Sequence, residues 1–432
     1  MTHSETLALL GGAPVCDHPM QFNNSIGAAE KAAVQRVLDS GELSGFVATA
    51  GEGFWGGREV RALETDFKTY FGVTHALAFN SATSALHAAV SAMGVGPGDE
   101  VITSPYTMSA TATAILMTGA VPIFADIEDQ TFGLDPESVE ANITNQTRGI
   151  LAVNLLGHPA RLGPLRAIAD RHDLFLIEDN AQAPDAEYHG KKTGTIGDIG
   201  VFSFNRHKAM QSGEGGMLVT NDEKRATKAA LMRNHGEVVV ADMGIDDIVN
   251  TVGLNYRMGE MEAAIAQVQF SRMQELNGDR MKLAARLSRN LEDVPGITPP
   301  AIDAECSHVF YIYGMKYNAE ETGIPREIFV EAMAAEGFGV RGGYVRPIYL
   351  EPLYRRQICF GSDGFPFSAN PRNNLRYEPG LCPTCEQLQD REFMITGMMQ
   401  PPQTESDMDL FAEACRKVID NRDALANYVT KG

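Results

Sequence analysis

The chain has no excess of basic residues and no long apolar run. Its 36 Lys and Arg are outnumbered by 56 Asp and Glu, giving a formal net charge of −20. A nucleic-acid-binding protein needs clustered Lys and Arg to neutralise phosphates, so this composition argues against a nucleic-acid partner. No apolar stretch approaches the length of a membrane span, and residues 1–6 lack the basic start and apolar stretch of a secretory signal. We therefore expect a cytoplasmic protein with no membrane partner.

Cysteine is also scarce, and its distribution does not suggest a disulfide scaffold. The six cysteines are Cys16, Cys306, Cys359, Cys382, Cys385 and Cys415. Cys382 and Cys385 form a single CxxC pair, with no second pair and no His at ligand spacing. We expect reduced thiols in a loop here and no metal site.

The length of 432 residues exceeds the size at which one hydrophobic core stops growing. We expect an N-terminal segment over residues 1–50, a large domain over 51–290 and a small C-terminal domain over 291–432. Within the last of these, the sequence predicts strands at 308–317 and 338–345, a helix at 325–336 and a long loop at 359–380. A single long helix is predicted at 260–291.

Short apolar runs alternate with helical patterns between residues 76 and 220, which is typical of βα units and a mostly parallel sheet. About seven strands are predicted, at 76–79, 100–103, 121–125, 149–153, 174–177, 201–203 and 217–220. Ahead of them, Val60, Leu63, Phe67 and Phe71 have the spacing of one helix face that points into a core.

Polar residues follow several of these strands at their carboxyl ends, where ligands bind in such sheets. Lys208 comes shortly after a strand and ahead of a glycine-rich turn, and Asp179 ends another strand. Residues 80–84 lead from a strand into a helix. Together they offer an amine for an aldehyde, a carboxylate for a ring nitrogen and hydroxyls for a phosphate. Those are the groups that bind pyridoxal 5′-phosphate (PLP).

An ordered set of motifs resembles the DegT/DnrJ/StrS family of sugar aminotransferases, over nearly the whole chain. The motifs are FWGGREV from Phe54, NSATSAL from Asn80, GDEV from Gly98, EDNAQ from Glu178, SF from Ser203 with Lys208, GEGG from Gly213, GLN from Gly253 with Arg257, and CP from Cys382. The resemblance implies the fold of aspartate aminotransferase: PLP fold type I, with a mostly parallel seven-stranded sheet and a smaller α/β C-terminal domain.

By this resemblance Lys208 binds the cofactor aldehyde, and Asp179 pairs with the pyridine nitrogen. The Lys208 amine must lose its proton to attack, and burial lowers a lysine pKa in that direction. The freed amine then moves a proton between substrate and cofactor. Gln182 falls where the family places a residue against the ring or its substituent, with simple packing as the alternative.

The phosphate site implied by the resemblance consists of Thr83, Ser84 and Ser203. Thr83 and Ser84 stand at a helix start, where N–H groups and the helix dipole favour an anion. An ordinary N-cap by Ser81 or Thr83 is the structural alternative. Asn255 matches a residue that reaches the phosphate from a neighbouring subunit, which implies a homodimer with shared active sites.

Two departures from the family pattern concern the cofactor surroundings. The position of the usual ring-stacking aromatic residue falls on Met108, whose thioether covers less area, and Tyr106 is a candidate to compensate. Before the lysine stand Asn205, Arg206 and His207 in place of a His-Pro-Thr type sequence. Cations there would suit a negatively charged acceptor.

The implied reaction is a transamination from glutamate or glutamine to a keto-sugar acceptor. In outline the chain resembles members that aminate a free sugar acid, so 8-keto-3-deoxy-octulosonate of lipopolysaccharide biosynthesis is the first candidate. Nucleotide-linked keto-hexoses and cyclitol ketones are the alternatives. His308 matches a family position near the substrate, and further candidate cations that would bind an anionic acceptor are Arg206, His207, Arg257, Arg341 and Arg346.

Two other functions compete with transamination. A PLP-dependent sugar dehydratase of the same fold carries histidine in place of the lysine, so Lys208 argues against it, although His207 is adjacent. A non-catalytic PLP-binding regulator is the second, and the presence of both Lys208 and Asp179 disfavours it.

Overall fold

The computed structural model of the chain describes residues 6–18, 20–21, 24–372 and 375–429. Residues 1–5, which carry most of the argument against a secretory signal, lie outside the described residues, as do positions 373–374 of the predicted 359–380 loop. Within the described ranges, no helix is long and apolar enough to cross a membrane.

A mostly parallel seven-stranded sheet forms the centre of the larger part of the molecule, as predicted. The first nine strands are β1 (His75–Phe79), β2 (Glu100–Thr103), β3 (Val121–Phe124), β4 (Thr147–Val153), β5 (Phe175–Asp179), β6 (Glu187–Tyr188), β7 (Lys191–Lys192), β8 (Ile199–Ser203) and β9 (Gly216–Thr220). The sheet has the order β1-β9-β8-β5-β4-β2-β3, while β6 and β7 form a separate hairpin. Only β9 runs antiparallel to its neighbours, so the other six strands end at one edge.

Helices cover both faces of this sheet, which is why its strands read as nearly continuous apolar runs. The α-helices of the described chain are α1 (Ala28–Ser40), α2 (Arg58–Phe71), α3 (Ala82–Ala92), α4 (Ala110–Leu116), α5 (Pro136–Ala141), α6 (Leu162–Arg171), α7 (Glu223–Arg233), α8 (Glu260–Ser271), α9 (Met273–Leu291), α10 (Ala319–Thr322), α11 (Arg326–Ala335), α12 (Pro352–Arg355), α13 (Pro383–Gln387), α14 (Glu405–Asp420) and α15 (Arg422–Val429). The helix predicted at 260–291 is therefore two helices, with Arg272 at the break.

A second, antiparallel sheet lies in the C-terminal part. Its strands are β10 (Ile297–Thr298), β11 (Tyr313–Tyr317), β12 (Arg341–Gly342) and β13 (Phe393–Thr396), in the order β10-β11-β13-β12. The strand predicted at 308–317 begins only at Tyr313, because the N–H groups of Val309 and Ile312 bond to the carbonyls of Gly157 and Leu156 instead of to a strand.

The N-terminal residues pack into this C-terminal part. Leu7 and Cys16 belong to the core formed by α9, α11, α14 and the second sheet. The buried carboxylate of Glu336 accepts hydrogen bonds from the N–H groups of Ala8 and Val15 and from the ammonium of Lys417. The boundaries at residues 50 and 290 stay a prediction.

Cys382 and Cys385 lie at the start of α13 and are fully buried, so the expectation of a loop is wrong for this pair. Burial raises the pKa of both thiols. All six cysteines are unpaired.

The stability of the core beneath α2 should depend strongly on Phe67. Its ring is fully buried on α2 and stacks on Phe270 with 4.2 Å between centroids. We expect Phe67→Ala to lower the free energy of unfolding by about 3–5 kcal/mol through lost contacts and a cavity. Denaturant titration measures this, and Phe360→Ala is the control because Phe360 is 41% exposed. Equal effects of the two substitutions would contradict this packing.

Candidate active site

The candidate site lies where the parallel strands end. Asp179 is the last residue of β5, Ser203 is the last residue of β8, and β1 leads through Asn80 into α3. The strands run in the same direction, so these residues meet at one edge of the sheet, as the sequence predicts.

Lys208 follows β8 in a tight turn, in which its N–H donates to the carbonyl of Asn205 (2.8 Å). Its side chain is largely buried, and its Nζ lies 4.4 Å from the centroid of the Tyr311 ring. It lines a cavity of about 500 Å³. Burial lowers the pKa of Lys208 to about 8, and the negative charge of Asp179 limits this fall. Roughly a tenth of the amine is therefore unprotonated at pH 7, a few hundredfold more than at the ordinary lysine pKa of 10.5.

Asp179 is a buried carboxylate with polar contacts to both oxygens. The Thr111 hydroxyl donates to Oδ2 (2.8 Å), and the N–H of Ala181 donates to Oδ1 (3.2 Å). Burial raises the pKa of Asp179. Among the described residues, no cation lies within 4.0 Å of this carboxylate. A positively charged group of a ligand would therefore relieve the cost of burying it.

Glu178 holds the backbone around Asp179 in place. Its carboxylate is fully buried and accepts hydrogen bonds from the N–H groups of Gly194, Ile196 and Gly197. Asn154 donates to the same carboxylate from the end of β4. These contacts anchor the loop that precedes β8 to the end of β5.

The start of α3 has a helix N-cap, formed by Ser81, and an exposed hydroxyl, that of Thr83. The Ser81 hydroxyl accepts from the N–H of Ser84 (3.1 Å), which is the N-cap that the sequence left as an alternative. The buried Ser84 hydroxyl donates to Asn80 Oδ1 (2.6 Å), whereas Thr83 is exposed. A Cβ at Gly216 would lie 2.6 Å from the backbone nitrogen of Ala82, so only glycine lets β9 approach this turn.

Gln182 connects the two parts of the molecule. Its Oε1 accepts from the N–H of Leu156 (2.9 Å), and its Nε2 donates to the Tyr344 hydroxyl (3.1 Å). Its amide is therefore already engaged, and the structure favours a positioning role for it.

Tyr106 and Met108 differ in accessibility. Tyr106 is fully buried, and its hydroxyl donates to Gln389 Oε1 and accepts from the N–H of Tyr344. It therefore supports the junction with the second sheet and does not face the cavity. Met108 is 62% exposed and is accessible to a ligand. Its ring-stacking role stays a prediction.

The other candidate residues fall into two groups. Arg206 and His207 are exposed, line the cavity beside Lys208 and contact each other through Nε and Nε2 (3.2 Å). Asn255 is exposed, and Arg257 donates from Nε to Asn234 Oδ1 next to the end of β1.

Three further candidates do not line the cavity, and neither do Asn255 and Arg257. His308 is buried, stacks on Phe310 with 3.9 Å between ring centroids and does not line the cavity. Arg341 and Arg346 are exposed and do not line it either.

The residues present fit PLP on three observations. A largely buried amine of lowered pKa can bind an aldehyde, a buried carboxylate without a paired cation can hold a protonated ring nitrogen, and the start of α3 has N–H groups for a phosphate. Sequence reasoning missed Thr111, Tyr311 and Arg280, which contact Asp179 or line the cavity. Each is brought there by tertiary packing, and no local motif marks them.

The family model of the DegT/DnrJ/EryC1/StrS aminotransferases matches residues 25–374. The chain belongs to this family. It is 31% identical over 405 residues to the spore coat polysaccharide biosynthesis protein SpsC of Bacillus subtilis, covering 92% of this chain and 96% of SpsC. It is 37% identical over 299 residues to GDP-perosamine synthase of Caulobacter vibrioides, covering 69% of this chain and 79% of the synthase.

A crystal structure of DesI in the presence of its TDP-sugar product matches with a TM-score of 0.79 and 28% identity, covering 98% of each chain. As a member of the DegT family, the present chain is a PLP-dependent transaminase of fold type I.

The reactivity of Lys208 should follow its lowered pKa. In cofactor-free protein, we expect the rate of covalent reaction with PLP to rise with pH around a midpoint near 8, because only the unprotonated amine attacks. Stopped-flow absorbance and borohydride trapping measure the rate, and peptide mass spectrometry locates the site. Asp179→Asn should move the midpoint lower, since the negative charge of Asp179 stabilises the protonated amine. A midpoint near 10.5, the ordinary lysine value, would contradict the burial of this amine.

His308 should make the free energy of unfolding depend on pH below about 6.5. Its burial holds its pKa well below 6.5, so the unfolded chain takes up a proton that the folded chain does not. Stability from this group is intact above pH 6.5 and falls as the pH drops below that value, by about 1.4 kcal/mol per pH unit until the folded-state pKa is reached. We expect His308→Asn to flatten this loss between pH 6.5 and 5, measured by denaturant titration. An unchanged slope would contradict a neutral buried His308.

Proposed function

We propose that this enzyme transfers the amino group of glutamate or glutamine to the ketone of a sugar, and that 8-keto-3-deoxy-octulosonate of lipopolysaccharide biosynthesis is the acceptor. The observation that carries the transamination is the largely buried Lys208 amine of lowered pKa, which faces a cavity large enough for a small substrate. Support for a sugar acceptor comes from relatives whose names refer to perosamine, a coat polysaccharide and a TDP-sugar.

The chemistry of each residue follows from its position. When bound, PLP supplies an electron-accepting ring that carries the amino group between the two substrates. Lys208 binds its aldehyde and, once freed, accepts and returns a proton at Nζ. Asp179 holds the positive charge of the ring nitrogen, with its orientation fixed by Thr111. Thr83, Ser84 and Ser203 are the proposed phosphate-binding residues.

The basic lining of the cavity supports an anionic acceptor. Arg206 and His207 are exposed at its edge, beside Lys208. A sugar acid brings a carboxylate and a nucleotide-linked keto-hexose brings a diphosphate, and arginine binds either group. Nucleotide-linked keto-hexoses therefore remain the second class to test.

We also propose that the enzyme works as a homodimer in the cytoplasm. Asn255 is exposed, and close to it in sequence Ile248, Val249 and Val252 are each more than half exposed, so they form an apolar stretch of the kind that a partner subunit covers. Light scattering tests the dimer.

The unpaired state of all six cysteines supports a reducing compartment.

Two substitutions test the catalytic residues. We expect Lys208→Ala to abolish amino transfer, because Lys208 is the one lysine among the described residues that line the cavity, and Asp179→Asn to slow it by orders of magnitude. The PLP-loaded protein is first incubated with glutamate, which changes its absorbance. Keto-sugars are then added one at a time, and the return of the initial absorbance identifies the acceptor.

The control is Lys224→Ala, since Lys224 is an exposed residue of α7. It should keep the wild-type rate. A Lys208→Ala protein that turned over as fast as this control would overturn the assignment, and recovery with a nucleotide-linked keto-hexose alone would overturn the sugar-acid acceptor.

A further inference from the structure

A buried arginine, Arg280, lines the same cavity as Lys208. It lies on α9, and only 4% of its surface is exposed. Burial lowers its pKa to about 10, so the guanidinium remains charged at neutral pH. A buried charge is costly unless an opposite charge or a full set of hydrogen bonds compensates it.

Arg280 differs in this respect from the other buried arginines of the described chain. Arg233 pairs with Glu64 (2.6 Å), and Arg326 pairs with Glu327 (3.0 Å) and donates to two backbone carbonyls. Within the described ranges, the one hydrogen bond of Arg280 runs from Nη2 to Gln400 Oε1 (2.7 Å), and no carboxylate lies within 4.0 Å of it. Its charge is therefore uncompensated by the protein residues described.

The surroundings of Arg280 suit an anionic ligand. The described residues that line the cavity include Arg206, His207 and Lys208 but no Asp or Glu. Tyr311 connects Lys208 with Arg280. Its ring is close to Lys208 Nζ, and its hydroxyl interacts electrostatically with Arg280. An anion held by Arg280 would thus share the cavity with the reactive amine, in a protein whose net charge is −20.

We propose that Arg280 binds a carboxylate of the amino-acid donor. This inference rests on the proposed function, and it assigns a recognition role to a residue outside the motifs that carry the family resemblance. A planar guanidinium binds a carboxylate through two parallel hydrogen bonds, which gives both affinity and orientation. The residue acts in substrate binding, and Lys208 performs the chemistry.

Binding of a dead-end dicarboxylate tests the proposal without any turnover. Calorimetry of the PLP-loaded protein with glutarate should show binding, and glutaramide, which has the same carbon chain without charge, should bind at least about tenfold more weakly. Arg280→Gln should weaken glutarate binding by about ten- to a hundredfold, and Arg280→Lys by less, because its charge remains. Arg289→Gln is the matched control, because Arg289 is an exposed arginine of the same helix.

Kinetics separate binding from chemistry. In the half-reaction with glutamate, Arg280→Gln should raise the KM by about ten- to a hundredfold and change the limiting rate only a few-fold. Glutarate affinity equal to that of Arg289→Gln, or a loss of limiting rate at unchanged KM, would overturn the proposal. If Arg280→Gln does not fold, the comparison of glutarate with glutaramide on the wild-type protein tests the proposal. Equal affinity for the two compounds would overturn it.

The two proposals fail in different ways. If borohydride reduction does not yield a covalent PLP adduct at Lys208, the proposed function fails, whatever glutarate does. If the adduct forms and glutarate binding is independent of Arg280, only the role of Arg280 fails.

Discussion

Burial acts on two opposite charges at the end of the central sheet. It lowers the pKa of Lys208 and raises the pKa of Asp179, so both groups are driven toward their neutral forms. Neither has an oppositely charged side chain within 4.0 Å among the described residues. A ligand with an electrophilic carbon on one side and a protonated nitrogen on the other would satisfy both, and the surrounding structure keeps these two groups available for it.

The surrounding structure does so by using other polar groups for rigidity. The Glu178 carboxylate accepts hydrogen bonds from backbone N–H groups of the loop before β8. These bonds fix the backbone, and with it the direction of the neighbouring Asp179 side chain. Thr111 then fixes one carboxylate oxygen. On the other side, Gln182 ties the end of the large sheet to Tyr344 of the C-terminal part. The site therefore depends on both sheets, although its reactive groups come from one.

The sequence predicts the central sheet well because strands that are buried on both faces must be apolar along their length. Its carboxyl-end residues follow from the same pattern. The C-terminal part is less predictable, because residues 308–312 look like a strand, but the N–H groups of Val309 and Ile312 donate to the carbonyls of Gly157 and Leu156. His308 is buried in that packed turn and does not line the cavity. Arg280 sits in an ordinary amphipathic helix, and only the three-dimensional structure shows that its side chain lines the cavity of Lys208.

The attachment of the N-terminal residues to the C-terminal core has a consequence for biosynthesis. Lys417 donates to the carbonyl of Ala13, 404 positions earlier in the chain, and Leu7 and Cys16 are buried among residues of α14. Because a ribosome synthesises α14 long after residues 7–16, Leu7 and Cys16 stay without these native contacts until α14 has been made. One part of the C-terminal core is therefore made early and the rest late, so this core can close only after α14 has been synthesised.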